Sequence, residues 1–303
     1  MTRGEILGRL AAHESLRGLN LVRSDLSGMA LVGADLTGAN LRMVDLTKSD
    51  LRDARLTSAH LSGAVLNYAS LVGANLVEAS MIGVTMKGVD LSRADASGAD
   101  LTGATLDGAR LVGTYLVGAY LNEASLNRAD MSGAYIRMAQ VAGSNLTGAI
   151  IESADLSHAD LSGVHLEGSS LAGANLEGAS LQGSYLLGCD LRGANLTGAD
   201  LTGSNLTGAK LHGVKYAGIK LDDSWAEWVD ISEDGSTRER AALEEAFPDV
   251  AARPISQILV EGRVTEDAWA ALTAHLANFH IRNPEHAGVR LKSVQQGASS
   301  AAM

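Results

Sequence analysis

An apolar residue recurs at every fifth position from Leu16 to Leu221, and the register never slips. Of these 42 central positions, 34 hold leucine, and all but Ala96 of the remainder hold a sizeable apolar residue. An amphipathic α-helix has an apolar period of 3.6 residues, and a collagen helix has a glycine period of three. A strict period of five excludes both, and it predicts a repeat architecture built from one short unit per period.

Each five-residue unit has a fixed pattern around its central position. The residue two places before the centre is small, usually alanine, the residue just before it is often Asp or Asn, and glycine commonly follows two places after it. Because side chains two positions apart in an extended chain point the same way, the alanine and leucine face inward and the Asp or Asn faces outward. Glycine permits the positive φ of a tight corner. The pattern therefore predicts that each unit forms one short extended side and one corner. The units form coils that stack about 4.8 Å apart around a channel filled by leucine.

This pattern resembles the pentapeptide-repeat family, whose consensus is A(D/N)LXX. Residues 194–198 (ANLTG) and 199–203 (ADLTG) match it at each fixed position. The resemblance implies an all-β solenoid, a right-handed quadrilateral parallel β-helix with four repeats per coil. On that basis the repeats form about ten coils and a rod about 50 Å long.

The sequence divides into three regions: 1–15, a capping helix; 16–225, the β-helix; and 226–303, a C-terminal helical cap or extension. Thr2 and Glu5 fit a capping box that opens a helix over residues 3–13, with Ile6, Leu7 and Leu10 on one face. The end of a solenoid exposes unpaired backbone and apolar channel, so a cap is expected there.

The C-terminal region departs from the repeat. All three prolines of the chain and both phenylalanines lie after residue 221. We expect Trp225 and Trp228 to cover the final coil, a capping box at 236–239 to open a helix that stops at Pro248, and residues 295–303 to be disordered. We also expect a helix over residues 265–280. The resemblance adds that family members often pair through their C-terminal ends, so plain capping, a homodimer and the binding of a partner are the alternatives for this region.

Catalytic and cofactor motifs are missing from the sequence. The histidines show no zinc-binding spacing, and the glycines recur as corners rather than in a phosphate-binding loop. Cys189 replaces an inward alanine and is expected to be buried and inert. We therefore predict that the chain is not an enzyme and uses no cofactor or metal.

Charge and cysteine content limit the partners and the compartment. The net charge of −11 argues against direct binding to nucleic acid or to an anionic membrane. No apolar run approaches the length of a membrane span, and residues 1–10 do not predict a secretory signal. The single cysteine fits a reducing cytoplasm.

One surface departs from the polar pattern of the repeat. Outward positions between residues 110 and 140 carry aromatic, apolar and arginine side chains: Arg110, Val112, Tyr115, Val117, Tyr120, Tyr135 and Arg137. Tyr115 and Tyr135 are 20 residues apart, so we expect them to stack one coil apart. Exposed aromatics with arginine are favoured at protein interfaces. The alternative is a tyrosine ladder that only stabilises the stack.

A second departure is acidic. Between residues 140 and 207 the only base is Arg192, and the acids are Glu152, Asp155, Asp160, Glu167, Glu177, Asp190 and Asp200. This half of the rod could imitate the charge of a DNA duplex, although its charge density is thin beside one charge per about 1.7 Å of duplex. The alternative is a solvated surface with no partner.

Two functions remain open at this level. The first is a non-catalytic scaffold that binds a protein partner through the tyrosine-bearing surface or the C-terminal region. The second comes from the resemblance, because fluoroquinolone-resistance and antibiotic self-immunity branches of the family bind DNA gyrase as DNA mimics. The chain would then bind a type II topoisomerase and confer antibiotic resistance or self-immunity.

Overall fold

The structure, a computed structural model, describes residues 3–12, 14–236, 240–247 and 250, all within one compact unit that spans Met1–Arg253. Its helices and strands are α1 (Arg3–Ala11), β1 (Val229–Asp230), β2 (Arg240–Ala241) and α2 (Leu243–Ala246). The solenoid lies between α1 and β2. The helix expected over 265–280, the expected disorder of 295–303 and the capping residue Thr2 all lie outside the described residues.

The solenoid is held by parallel β-bridges between residues 20 apart. They run without a break from Asn20, which pairs with Asn40, to Asp230, which pairs with Lys210. Each coil therefore contains four five-residue units. The ladder ends one unit beyond the boundary expected at residue 225, because Trp225 and Asp230 keep the register although the leucine pattern has stopped.

Every corner residue from Gly18 to Asp223 has a φ between 53° and 72°, whether or not it is glycine. In this conformation the corner N–H donates to the next coil, as from Gly198 N to Ala217 O at 2.8 Å. The central N–H does the same, from Leu196 N to Lys215 O at 2.6 Å. The outward N–H donates to the preceding coil, as from Asn195 N to Ala174 O at 2.9 Å. Each unit thus donates three inter-coil hydrogen bonds, which satisfy the backbone of the stacked coils.

The central leucines and the small residues before them fill the channel and are almost entirely buried. Cys189 lies among them, fully buried and unpaired, as predicted. Burial raises the pKa of its thiol to about 12, so the reactive thiolate does not form near neutral pH.

Helix α1 covers the first coil. Ile6 is fully buried and Leu10, one turn later, is partly buried against the core. Leu7 was expected on the same face, but it is 48% exposed. On this nine-residue helix, only side chains four positions apart therefore face the core.

The C-terminal end corrects two expectations. Trp225 does not cover the final coil, because it occupies an outward position in register with Asn205 and is 52% exposed. Phe247 is the buried residue instead, with its ring edge-on to that of Tyr216 at a centroid distance of 5.1 Å. Tyr216 occupies a central position, so Phe247 packs against the end of the channel.

The second correction concerns the helix expected from the capping box at 236–239. Arg240 and Ala241 form β2, which pairs antiparallel with β1, so the helix begins only at Leu243. The N–H of Ala242 donates to the Glu245 carboxylate at 3.1 Å. The pairing with β1 satisfies backbone N–H and C=O groups that would otherwise have been paired within a helix.

Candidate protein-interaction surface

The bridges arrange the outward residues in four columns, one on each side of the rod. Each column advances by one coil every 20 residues, or about 4.8 Å. We number the sides by their members: side 1 has Tyr115, Tyr135 and Asp155; side 2 has Tyr120, Asp160 and Asp200; side 3 has His165, Tyr185 and Trp225; side 4 has Arg110, Asp190 and Asp230.

Tyr115 and Tyr135 stack on side 1, as predicted. Their ring centroids are 4.7 Å apart and their planes differ by 7°. The rings are 44% and 43% exposed, so the pair presents a broad aromatic face to solvent. Because the backbone spacing alone sets the stack, this face is already ordered before any partner arrives.

Three further apolar side chains extend this face. Val117 lies on side 1 and Tyr120 on side 2, and both are exposed. Met138 is exposed at the corner where side 1 passes into side 2. The set of Tyr115, Val117, Tyr120, Tyr135 and Met138 is hereafter the tyrosine surface.

The remaining residues of the expected site are divided between two sides. Arg137 borders the tyrosine surface on side 1, and its Nε lies 3.7 Å from Asp155 Oδ2. Arg110 belongs to side 4, where its Nε donates to Ser92 Oγ at 3.1 Å, and Val112 is half-buried in the same unit. The structure therefore brings four of the seven residues together on side 1 and Tyr120 beside them, and it places Arg110 and Val112 around the opposite corner.

The seven acids are not gathered into a stripe. Their units lie on all four sides, with at most two acids on any one side: Asp155 and Glu177 on side 1, Asp160 and Asp200 on side 2, Glu167 on side 3, and Glu152 and Asp190 on side 4. A duplex mimic needs regularly spaced charges along one surface. The arrangement disperses the net negative charge around the rod instead.

Several of these carboxylates also have partners within the rod. Arg192 donates to Asp190 through both Nε and Nη2, at 2.9 and 2.5 Å. Asp200 accepts hydrogen bonds from Thr202, and Lys220 Nζ lies 3.2 Å from its Oδ2. Burial raises the pKa of Asp200, but these hydrogen bonds outweigh it and hold that pKa well below its usual range.

The same contact explains why Asp is common at the outward position. Asp160 Oδ1 accepts from the N–H and the hydroxyl of Ser162, at 3.0 and 2.6 Å, as Asp200 does from Thr202. This is an Asx turn, in which the side chain fixes the backbone two residues later. The Asp of the repeat thus stabilises the approach to each corner.

A second stacked pair was missed in the sequence. His165 and Tyr185 lie on side 3 with ring centroids 4.5 Å apart and planes within 7°. His165 Nδ1 is also 3.1 Å from Glu167 Oε1. The signal was the one used for Tyr115 and Tyr135, namely two ring-bearing outward residues 20 positions apart.

Within the part of the chain that the structure describes, no three His, Cys, Asp or Glu side chains lie close enough together to hold a metal ion. None of the described helices has the length and apolar character needed to cross a membrane.

A family model for pentapeptide repeats matches the chain in eight copies, over residues 15–53, 54–93, 86–121, 109–148, 149–186 and 174–213. No curated protein matches the chain at a significant level.

Several solved structures are similar to this chain. HetL, a pentapeptide repeat protein involved in heterocyst differentiation regulation from the cyanobacterium Nostoc sp. strain PCC 7120, is 33% identical, with 78% of this chain and 99% of that chain covered and a TM-score of 0.42. QnrB1, a plasmid-mediated fluoroquinolone resistance protein, is 23% identical, with 68% and 91% covered and a TM-score of 0.36. A pentapeptide repeat protein from the Arabidopsis thaliana thylakoid lumen is 25% identical, with 36% and 84% covered and a TM-score of 0.29.

Proposed function

Since this chain belongs to the pentapeptide-repeat family, we propose that it is a non-catalytic scaffold that binds a protein partner through its tyrosine surface. The observation that carries the proposal is the exposed, stacked pair of Tyr115 and Tyr135. Tyrosine is enriched among the residues that dominate binding energy at interfaces, and two rigid, ordered rings lose little entropy on binding.

The residues around the pair favour binding over simple reinforcement of the stack. A stabilising ladder would need only the rings, yet Val117 and Met138 are exposed beside them. Neighbouring exposed apolar side chains of this kind are typical of interaction surfaces.

The proposal is tested by capturing partners with the intact chain and repeating the measurement with a Tyr115→Ala/Tyr135→Ala variant. We expect the captured partner, once purified, to bind the variant at least about 30-fold more weakly, the loss typical of an interface hot spot. Tyr68→Ala is the matched control, because it removes an exposed tyrosine from a corner that belongs to neither the tyrosine surface nor its neighbouring units. Equal binding by the double variant, with its circular dichroism unchanged, would remove the tyrosine surface as the site.

The alternative is a DNA mimic that binds DNA gyrase or another type II topoisomerase and gives antibiotic resistance or self-immunity. The dispersed acids and their internal partners do not support it. A supercoiling assay with gyrase, with and without a fluoroquinolone, tests it directly: neither inhibition nor protection would exclude this alternative.

Three finer expectations stay predictions. The right-handed sense of the helix rests on the resemblance, and the cytoplasmic location rests on the single cysteine. A homodimer through the region after residue 225 also stays a prediction, since most of that region lies outside the described residues.

A further inference from the structure

Side 3 carries an aromatic column with one interruption near its C-terminal end. Its successive members are His165, Tyr185, Asn205 and Trp225, joined by bridges at each 20-residue step. The first two rings stack at 4.5 Å, and the column then passes through an asparagine before the indole of Trp225. Tyr185 and Trp225 are therefore two coils apart, or about 9.6 Å at the usual strand spacing.

Asn205 carries no ring at the position between the two aromatic side chains. Asn205 Oδ1 accepts from the N–H of Thr207 at 3.0 Å, so its short side chain is held against its own backbone in an Asx turn. Tyr185 and Trp225 are both about half-exposed on either side of it. We call the space bounded by Tyr185, Asn205, Thr207 and Trp225 the side-3 slot.

One flank of the slot is also defined. The ring of Trp228 lies against the corner that follows Thr207, 3.4 Å from the position that a Cβ on Gly208 would occupy. Leu187 is exposed beside Tyr185. The slot thus has a polar floor, two aromatic walls and apolar side chains along its edge.

The width of the slot fits one flat group. Stacked rings elsewhere on this rod lie 4.5 and 4.7 Å apart by their centroids. A planar group placed midway between Tyr185 and Trp225 would lie about 4.8 Å from each, which continues the spacing of the column.

The charge around the slot selects a cation. Asp222, Asp223 and Glu227 lie within three residues of Trp225 and are exposed. None of the three forms an ion pair within the described residues, and the neighbouring Lys220 is held by Asp200 at 3.2 Å. A group that is both flat and positively charged would satisfy the aromatic walls and the carboxylates together.

The guanidinium group has that combination, since it is planar, permanently charged and weakly hydrated, and it stacks on aromatic faces. We propose that the side-3 slot binds an arginine side chain of a basic partner segment, stacked between Tyr185 and Trp225. This site is separate from the tyrosine surface on sides 1 and 2, so an experiment that disproves one of the two proposals leaves the other unaffected.

The test uses the full-length chain and three acetylated, amidated tripeptides: Gly-Arg-Gly, Gly-Lys-Gly and Gly-Leu-Gly. Each is titrated at low salt while the indole N–H resonance of Trp225 is followed by NMR. We expect a saturable shift with the arginine peptide, binding about tenfold weaker with lysine, and no saturation with leucine. Equal binding of arginine and lysine, or no saturable shift with arginine, would overturn the proposal.

Two variants locate the binding. Asn205→Tyr inserts a ring into the slot and should abolish arginine binding, while Tyr185→Ala removes one wall and should weaken it about tenfold. Asn195→Tyr is the matched control, because it makes the same substitution at an outward position of side 1 and should leave binding unchanged. If folded Asn205→Tyr or folded Tyr185→Ala binds the peptide as the unmodified chain does, the slot is not the site.

Discussion

The imidazole of His158 lies over the corner glycine of the following coil, Gly178, so closely that a Cβ there would be 2.6 Å from His158 Nδ1. Tyr68 and Gly88 repeat the arrangement at the diagonally opposite corner of the rod, where a Cβ on Gly88 would be 2.8 Å from the Tyr68 ring. A side chain at a corner therefore leans onto the next coil. In these two columns a corner that carries a ring is followed by a corner where glycine avoids a steric clash, in addition to the backbone strain that a side chain causes at positive φ.

This contact predicts unequal effects of the same substitution at two corners. Gly178→Ala and Gly183→Ala both place a Cβ at positive φ, which costs about 1–2 kcal/mol. Nothing lies within 4 Å of a Cβ on Gly183, whereas His158 must leave its rotamer for Gly178→Ala, at about 1 kcal/mol more. We expect the apparent melting temperature to fall further for Gly178→Ala.

The double variant His158→Gly/Gly178→Ala isolates the contact. When the double variant is compared with His158→Gly alone, the loss of stability caused by Gly178→Ala should equal the loss that Gly183→Ala causes in the unmodified chain. If the two alanine substitutions are equally destabilising in the unmodified chain, the imidazole does not restrict this corner.

Phe247→Ala is predicted to open the C-terminal end of the solenoid. The ring is 1% exposed and packs edge-on against Tyr216, the last ring-bearing residue of the channel. Truncating a buried phenylalanine costs about 3–5 kcal/mol. Chemical denaturation should show this loss, whereas the control Tyr120→Ala, on the exposed face, should change the free energy of unfolding by less than about 1 kcal/mol. A Phe247→Ala chain as stable as the control would mean that the ring does not close the channel.

The sequence predicts those parts of the molecule that follow from the register. The period of five predicts that Leu196 points inward, and the step of 20 predicts that Tyr115 stacks on Tyr135. Both positions follow from residue number alone, because the repeat is regular. The expectation for Trp225 was wrong because it rested on the size of the side chain, whereas the five-residue register places residue 225 at an outward position. The contact of Phe247 with Tyr216 could not be predicted, because beyond the last repeat no period relates sequence distance to position in space.

Acid should destabilise the rod only below about pH 4. A hydrogen bond from Thr37 holds the pKa of Asp35 below its usual value, and one from Arg52 does so for Asp50. A carboxyl whose pKa is lower in the folded state contributes stability that is complete above the unfolded value of about 3.9, and it loses that stability as the pH falls towards the folded value. We expect the apparent melting temperature to be level from pH 7 to about pH 5 and to drop below about pH 4.

A single variant tests whether such carboxylates are responsible. Asp200→Asn keeps an oxygen that can accept from Thr202, as Asn205 does from Thr207, but it cannot gain a proton in acid. The variant should be less stable than the unmodified chain at pH 7, since it loses the charge interaction with Lys220, and the difference between them should shrink steadily as the pH falls below about 4. A constant difference between them at all pH values would contradict this assignment.

Ser204→Ala is predicted to stabilise the protein. Within the described residues, Ser204 Oγ is buried without a hydrogen-bond partner. Ser184, one coil earlier, has a buried hydroxyl that is likewise without a partner. Ser144, three coils earlier in the same column, donates its hydroxyl to Val141 O three residues earlier at 2.7 Å. For Ser204 the corresponding acceptor is Leu201 O, which already receives the Ser204 N–H at 2.9 Å and the Ser224 hydroxyl at 2.6 Å.

A buried hydroxyl without a partner costs about 1–3 kcal/mol, and alanine is the usual residue at this inward position. Removing it from Ser204 should therefore raise the apparent melting temperature by about 2–4 °C for each kcal/mol recovered, given a unit of this size. Ser144→Ala is the matched control and should lower the melting temperature or leave it unchanged, because it deletes a hydrogen bond that is made. If the melting temperatures of both variants change in the same direction by the same amount, the Ser204 hydroxyl has a hydrogen-bond partner in solution. The competition for Leu201 O would then not destabilise the protein.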